Sequence, residues 1–256
     1  LRRVAANFSD HSDRFAMGLD VTGMLGWFAD QLERQLNLRQ EMSSAIQFGG
    51  RHDALTPAYL TATNSVLVMR PLDGIKVTDL DGSSQHRKTA AHSVARTGVQ
   101  AVLAGYYHAD PHPGNIFVDE ASGDVSWLDF GTMGHLDSFQ RKQLMDFFFT
   151  LTLGDVHAQR MAIEAMAKSD ASYDGDALEE AIAGLEKMDL TERAARIIAL
   201  AGENRLFVQY QCSQAITNLL TIKGVVQDLD PRFEFVSVFN ELMPSAYADA
   251  QSEMDR

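Results

Sequence analysis

His108-Ala109-Asp110-Pro111-His112-Pro113-Gly114-Asn115, followed by Trp127-Leu128-Asp129-Phe130-Gly131, is the stretch on which the reading of this chain turns. Asp110 stands five residues before Asn115, and Asp129 follows fourteen residues after it. Magnesium prefers carboxylate and carbonyl oxygens in an octahedral shell and often shares them with phosphate. Asp129 and Asn115 can supply such oxygens. Asp110, an acceptor when ionised, can orient or deprotonate an attacking hydroxyl or position a water. Pro111 and Pro113 restrict the loop, and Gly114 relieves crowding beside Asn115. A zinc reading from His108, Asp110 and His112 would need the segment extended, whereas two prolines and a glycine favour a loop with His108 as an internal hydrogen-bonding post. Asp-Phe-Gly alone is a weak signal, but in this order and separation it points to a nucleotide site.

Composition sets the frame. A chain of 256 residues with 45% hydrophobic content is long enough for one large domain or two lobes around a real core. Lysine and arginine number 22 against 35 acidic residues, a formal charge of −13, which opposes nonspecific binding to nucleic acid. Magnesium would still screen nucleotide phosphates locally. Cys212, the single cysteine, excludes an intrachain disulfide and a thiolate-rich metal site, and it suits a reducing compartment. No secretory pattern and no run of about 18 apolar residues is present. Leu1 opens abruptly, in what reads as ongoing helical sequence, so a fragment is expected.

Around the central stretch, residues 23–48 read as a long helix closed by Gly49-Gly50, with Glu41 in its second half. Residues 58–61 and 65–69 read as two short strands, and Arg70-Pro71-Leu72-Asp73-Gly74 as a hinge or a surface turn. A second helix is expected over 86–107, then the loop, a hairpin of strands 116–118 and 125–128, and Asp129. Beyond Ser138 helices are expected over 138–152, 155–168, 176–185, 191–200, 203–228 and 233–242, with Phe147, Phe148 and Phe149 filling their core.

These residues resemble the UbiB family, the AarF-like group of atypical protein-kinase-like proteins, which carries a histidine-rich catalytic loop followed by a metal-binding Asp-Phe-Gly. Gln35-Leu36-Asn37-Leu38-Arg39-Gln40-Glu41 resembles the family helix whose glutamate pairs with an ATP-contacting lysine. Val66 to Val77 resembles the last small-lobe strand and hinge, and Leu219 to Pro231 a late helix with its aspartate-proline exit. The resemblance covers about Gly23 to Leu242. It implies an α+β, atypical protein-kinase-like fold with a truncated small lobe over 1–73 and a mostly helical large lobe over 74–256. Asp110 would be the catalytic-loop aspartate and Glu41 the catalytic small-lobe glutamate that pairs with the ATP-contacting lysine. Asn115 and Asp129 would bind metal and nucleotide, with Met69, Arg70 and Leu72 near the adenine.

The cofactors implied are ATP and Mg2+, and the setting is isoprenoid quinone or membrane-lipid metabolism. A quinone precursor or other lipid and a membrane-associated biosynthetic partner are implied as well, with no nucleic acid. The location would be cytoplasmic or peripheral at the cytoplasmic membrane face. The family's Lys-X-Gly-Gln segment, alanine-rich loop and ATP lysine do not appear before Glu41. If the lysine and the loop each supply ~2 kcal/mol to the transition state, their joint loss slows the reaction roughly a thousandfold. An ATPase or phosphotransferase is therefore expected at full length, with negligible turnover from this segment. A catalytically weak pseudokinase scaffold and a small-molecule phosphotransferase stand as alternatives.

Overall fold

Short strands, each too small to hold a side chain alone, fix the central stretch by pairing across long loops. In a computed structural model the described residues are 37–52, 54–80, 84–169 and 172–254. They fall into two compact units: one takes residues up to His135 together with Asn218–Ala246, and the other takes Leu136–Thr217 together with residues from Tyr247 on.

The first unit opens with α1 (Leu38–His52), whose buried Ser44, Ala45, Phe48 and His52 recur at helical spacing on one face. The sequence reading of one helix over 23–48 is corrected here. Asn37 is not helical, and its carbonyl receives the amides of Gln40 and Glu41 at the start of α1. Glu41 therefore lies in the first turn. Residues 23–36 of that expectation lie outside the described residues. Nor does Gly49-Gly50 end the helix: it runs on to His52, because burial of Phe48 and His52 on the same face outweighs the low helix propensity of two glycines.

β1 (Tyr59–Ala62) and β2 (Leu67–Met69), the two short strands expected over 58–61 and 65–69, pair antiparallel, with Tyr59 opposite Met69. β3 (Ile75–Lys76) joins β5 (Ile116–Val118) and β6 (Val125–Trp127) in a three-stranded antiparallel sheet ordered β3-β5-β6. The boundary expected between residues 73 and 74 lies in the connection between β2 and β3. The β5–β6 turn is closed by Asp119, whose Oδ1 accepts from the amides of Ala121 and Ser122.

α2 (Ser84–Leu103) buries Ala90, Ala91, Val94, Ala95, Val99 and Val102. It stops earlier than expected. Gly105 takes φ 74°, a left-handed helix exit, and Tyr106 and Tyr107 pass into β4 (Tyr106–His108) instead of extending the helix. β4 pairs antiparallel with β7 (Met133–His135), His108 opposite Met133, and this pairing brings the Asp110 loop beside the Asp129 turn.

In the second unit α3 (Ser138–Leu153) starts with a capping box between Asp137 and Gln140. Phe147 and Phe148 are fully buried, but Phe149 is 56% exposed, a correction to the expected core trio. Residues on a helix step by about 100°, so three in succession cannot share one buried face. α4 (Val156–Ala165), α5 (Gly175–Ala183) and α6 (Leu190–Glu203) follow. The helix expected over 203–228 is interrupted. Arg205 at φ 64° turns the chain into β9 (Leu206–Val208), which pairs with β8 (Ala167–Ser169), and helix resumes only in α7 (Tyr210–Leu229). α8 (Phe235–Met254) continues past the expected end, through Pro244.

Among the described residues no helix is long and apolar enough to cross a membrane.

The β4–β7 pairing admits a direct check. A Cβ on Gly134 would lie 2.1 Å from the Tyr107 ring, so Gly134→Ala should lower stability by about 1–3 kcal/mol in urea unfolding. An unchanged midpoint would mean that Tyr107 does not lie over Gly134.

Candidate functional site

His108 is the post around which the loop is built. It is 2% exposed, and both ring nitrogens are used. Nε2 donates to the Leu128 carbonyl at 2.7 Å, and Nδ1 accepts the Asp110 amide at 3.2 Å. Burial pushes its pKa down, opposed by the bond to Leu128 and by the charges of Asp129 and Asp110, which fits a neutral ring protonated on Nε2. With both nitrogens engaged, His108 has no lone pair left for zinc. The Asn218 side chain adds a third tie, its Nδ2 donating to the His108 carbonyl.

Asn115 is buried, at the end of a short 3-10 turn (Pro113–Asn115). Its Nδ2 donates to the Asp110 carbonyl at 3.1 Å, and its own carbonyl accepts from Leu128 at 2.9 Å. The loop and the segment leading to Asp129 are thus joined twice, by His108 and by Asn115. Because the amide nitrogen is occupied, Oδ1 is the end of Asn115 left for a cation. Asp110 is exposed, and its carboxylate stands 3.8 Å from His112 Nε2. His112 in turn accepts the Gly114 amide on Nδ1 at 2.9 Å.

Asp129 takes φ 59°, a left-handed conformation that aspartate tolerates better than most residues, and its Oδ1 accepts the Gly131 amide at 3.4 Å. Phe130 is buried. It packs against His108 at 5.3 Å between ring centroids and against Phe48 of α1 at 5.3 Å. Trp127 lies 5.8 Å from Phe48 and 6.0 Å from His108, which completes an aromatic cluster under the two acidic loops.

Through Phe48 the cluster carries α1, and with it Glu41. Burial raises the Glu41 pKa first, and the charge of Asp129 raises it further. The phenol of Tyr59 is pushed up by burial and then by the same two carboxylates. Three groups thus share a region of negative potential, and among the described residues Glu41 has no cationic partner. Such crowding favours a bound cation. Asp129 and Asn115 Oδ1 are oxygen donors of the kind magnesium takes together with water and phosphate; among the described residues no group of three or more His, Cys, Asp or Glu side chains is positioned for a metal by itself.

The hinge residues form a separate set. Met69 faces Tyr59 across β1–β2, which relates it to the acidic region. Arg70 and Leu72 make no hydrogen bond to Asp110, Asn115 or Asp129. The Arg70 amide is spent on the Ala58 carbonyl at 2.9 Å, so it cannot serve an adenine, whereas the Leu72 amide has no intramolecular bond among the described residues. Gly74 closes the segment at φ 114°, where a Cβ would fall 2.5 Å from the Val118 carbonyl.

Tyr59, Phe48, His52 and Asn218 support the site without having been singled out by sequence. Only Phe48, one apolar residue among many in a helical pattern, left any local signal.

Two outcomes follow from this geometry. His108→Phe keeps a ring but strands the Leu128 carbonyl and the Asp110 amide, so stability should fall by roughly 2–4 kcal/mol in denaturant unfolding; a loss below about 0.5 kcal/mol would refute the double tie. For Glu41, a folded pKa above the unfolded one means that ionisation opposes folding, so stability is greatest at low pH and is lost as pH rises through the folded value. Glu41→Gln should therefore raise the melting temperature of the ligand-free protein at neutral pH. The gain should shrink towards about pH 4, where glutamate protonates in both states. A gain that does not vary with pH would contradict this electrostatic account.

Comparison with known proteins places the chain in a family. An uncharacterised protein of Synechocystis is 25% identical over 248 residues, covering 85% of this chain and 35% of that protein. The chloroplastic protein ACTIVITY OF BC1 COMPLEX KINASE 7 of Arabidopsis thaliana is 26% identical over 68% of this chain and 27% of its own length. A probable protein kinase UbiB of Pasteurella multocida is 25% identical over 81% of this chain and 44% of its own. The chain thus spans less than half the length of these curated relatives. A solved structure from Mycobacterium tuberculosis, Rv3197 in complex with erythromycin, matches in fold with a TM-score of 0.60 at 15% identity, over 89% of this chain and 63% of that one. The α+β, atypical kinase-like architecture expected from the sequence is the one observed. The family described as ABC1 atypical kinase-like domain matches residues 2–162, more than half of the chain, and the chain belongs to that family.

Proposed function

We propose that this chain supplies the magnesium- and phosphate-binding half of an ATP site, in a protein that acts as an ATPase or phosphotransferase in isoprenoid quinone or membrane-lipid metabolism. The observation that carries the reading is the double joining of the Asp110 loop to the Asp129 segment, through His108 and through Asn115. It keeps a general base and two oxygen ligands in a fixed relation before any ligand arrives.

In this reading Asp129 and Asn115 Oδ1 hold the cation. Bound magnesium would neutralise charge on the phosphate oxygens. Asp110, exposed and with its backbone pinned by His108, accepts the proton of the attacking water or hydroxyl. Glu41 awaits a cationic partner. Met69 and the free Leu72 amide line the base side, and Arg70 contributes its carbonyl rather than its amide. The lobe division at 73/74 and a location at a membrane face belong to the same proposal. The relative named probable protein kinase UbiB supports the kinase side of this reading.

The test is nucleotide binding and phosphate release by the full-length protein. Asp129→Ala should weaken magnesium-dependent ATP binding at least tenfold or so, while Asp110→Asn should leave binding near normal and slow phosphate release or transfer by roughly a hundredfold. Nucleotide binding that ignores Asp129→Ala would sink the proposal. Binding with no phosphate release or transfer to any quinone-like lipid or phenol would turn it into a scaffold, and transfer to a soluble amino alcohol would make it a small-molecule phosphotransferase.

A further inference from the structure

We infer that His52 is a positioning residue for Glu41: it latches the far end of the Glu41 helix to the strand that leads into the Asp110 loop. The inference rests on the reading of Glu41, Asp110 and Asp129 as a nucleotide site.

Glu41, Ala45, Phe48 and His52 follow one another at spacings of four, three and four, a single stripe along α1. At 1.5 Å per residue, Glu41 stands about 16 Å from His52 on one rigid rod. A small tilt at the His52 end therefore moves the Glu41 carboxylate by a comparable angle over a long arm. What stops the tilt is a polar bond with direction. His52 Nε2 donates to the Tyr106 carbonyl at 2.8 Å, fifty-four residues away in sequence, and Tyr106 begins the strand that continues through His108 to Asp110.

The neighbourhood reinforces the contact. The Arg51 guanidinium lies 5.0 Å from the centre of the Tyr106 ring, and the Tyr106 hydroxyl reaches the Ser44 carbonyl at 3.5 Å. The His52 ring meets Phe48 edge-on at 4.8 Å, and Phe48 touches Phe130, the residue after Asp129. One face of α1 thus grips both the strand before Asp110 and the residue beyond Asp129. Only the His52 bond is polar, buried and made to backbone that runs directly into the loop.

The second ring nitrogen sets His52 apart from a residue that merely fills volume. His52 is 3% exposed, and its Nδ1 is buried without a hydrogen-bond partner. A phenylalanine would fill the space without leaving a buried acceptor unsatisfied. The imidazole gains only the Nε2 donor. Burial lowers the His52 pKa, opposed by the bond to Tyr106 and assisted by the charge of Arg51, so the ring is neutral; the carbonyl that Nε2 faces can only accept, which places the single proton on Nε2.

Two substitutions in the full-length protein test the latch. His52→Phe keeps the ring against Phe48 and removes the donor; His52→Gln restores an N–H that can reach the same carbonyl. In the absence of nucleotide, His52→Phe should speed amide hydrogen exchange across residues 38–48 and at Gly131 about tenfold, and His52→Gln should bring it back most of the way. In magnesium-dependent ATP binding, His52→Phe should weaken affinity about tenfold in the natural background and have almost no effect on top of Glu41→Gln, because a positioning residue acts through the group it positions.

Unchanged exchange, equal loss in both backgrounds, or failure of glutamine to rescue would overturn the inference. If the natural protein binds no nucleotide, the proposed function fails, and the exchange comparison still decides the latch. Should His52→Phe not fold, the 15N shifts of the His52 ring in the natural protein decide instead: a proton on Nε2 supports the latch, and a proton on Nδ1 refutes it.

Discussion

The local geometry of the candidate site depends on one buried imidazole with both nitrogens occupied. His108 receives the Asp110 amide on one side and donates to the carbonyl before Asp129 on the other. Two acidic residues nineteen positions apart are thereby referred to a single rigid ring. Lysine, a donor only, could not accept the Asp110 amide, and neither could a charged imidazolium. Burial, by keeping the ring neutral, preserves the acceptor. Asn218 then fixes the ring's own backbone from α7.

Around this post two demands compete. The aromatic cluster of Phe48, Trp127, His108 and Phe130 draws α1 against the loops, which favours dry, close packing. The same packing partly buries Glu41 and brings it into the field of Asp129, and both effects oppose its ionisation. Hydrophobic burial prevails at the base of the site, and the electrostatic cost is confined to its rim. A fold that maintains such repulsion at its surface suits a site meant to receive positive charge.

Much of this was legible in the sequence because the loop chemistry is local. Prolines, glycine and the alternation of His, Asp and Asn specify a constrained turn, and the apolar pairs around residues 116–118 and 125–127 specify the hairpin beside it. Long-range effects were not legible. Asn218 and His52 act across 110 and 54 residues, and nothing in their neighbours announces a buried partner. Element ends misled for a related reason. Gly49-Gly50 would stop an isolated helix, yet tertiary burial of Phe48 and His52 carries α1 through it. Tyr106 and Tyr107 could extend α2, yet pairing with β7 draws them into a strand. Phe149 shows the limit of composition: an apolar residue in an apolar run can still face solvent.

The left-handed backbone of Asp129 limits which residues this position can accept over evolutionary time. Asparagine and aspartate enter that region at small cost, while β-branched residues meet their own carbonyl oxygen. A lineage that loses the need for a charged ligand here can therefore drift to asparagine without disturbing the turn. Drift to valine or threonine would have to rebuild the segment from Leu128 to Gly131. Among homologues, an asparagine at this position would mark relaxed chemistry on a retained scaffold, whereas a branched residue would mark a remodelled turn.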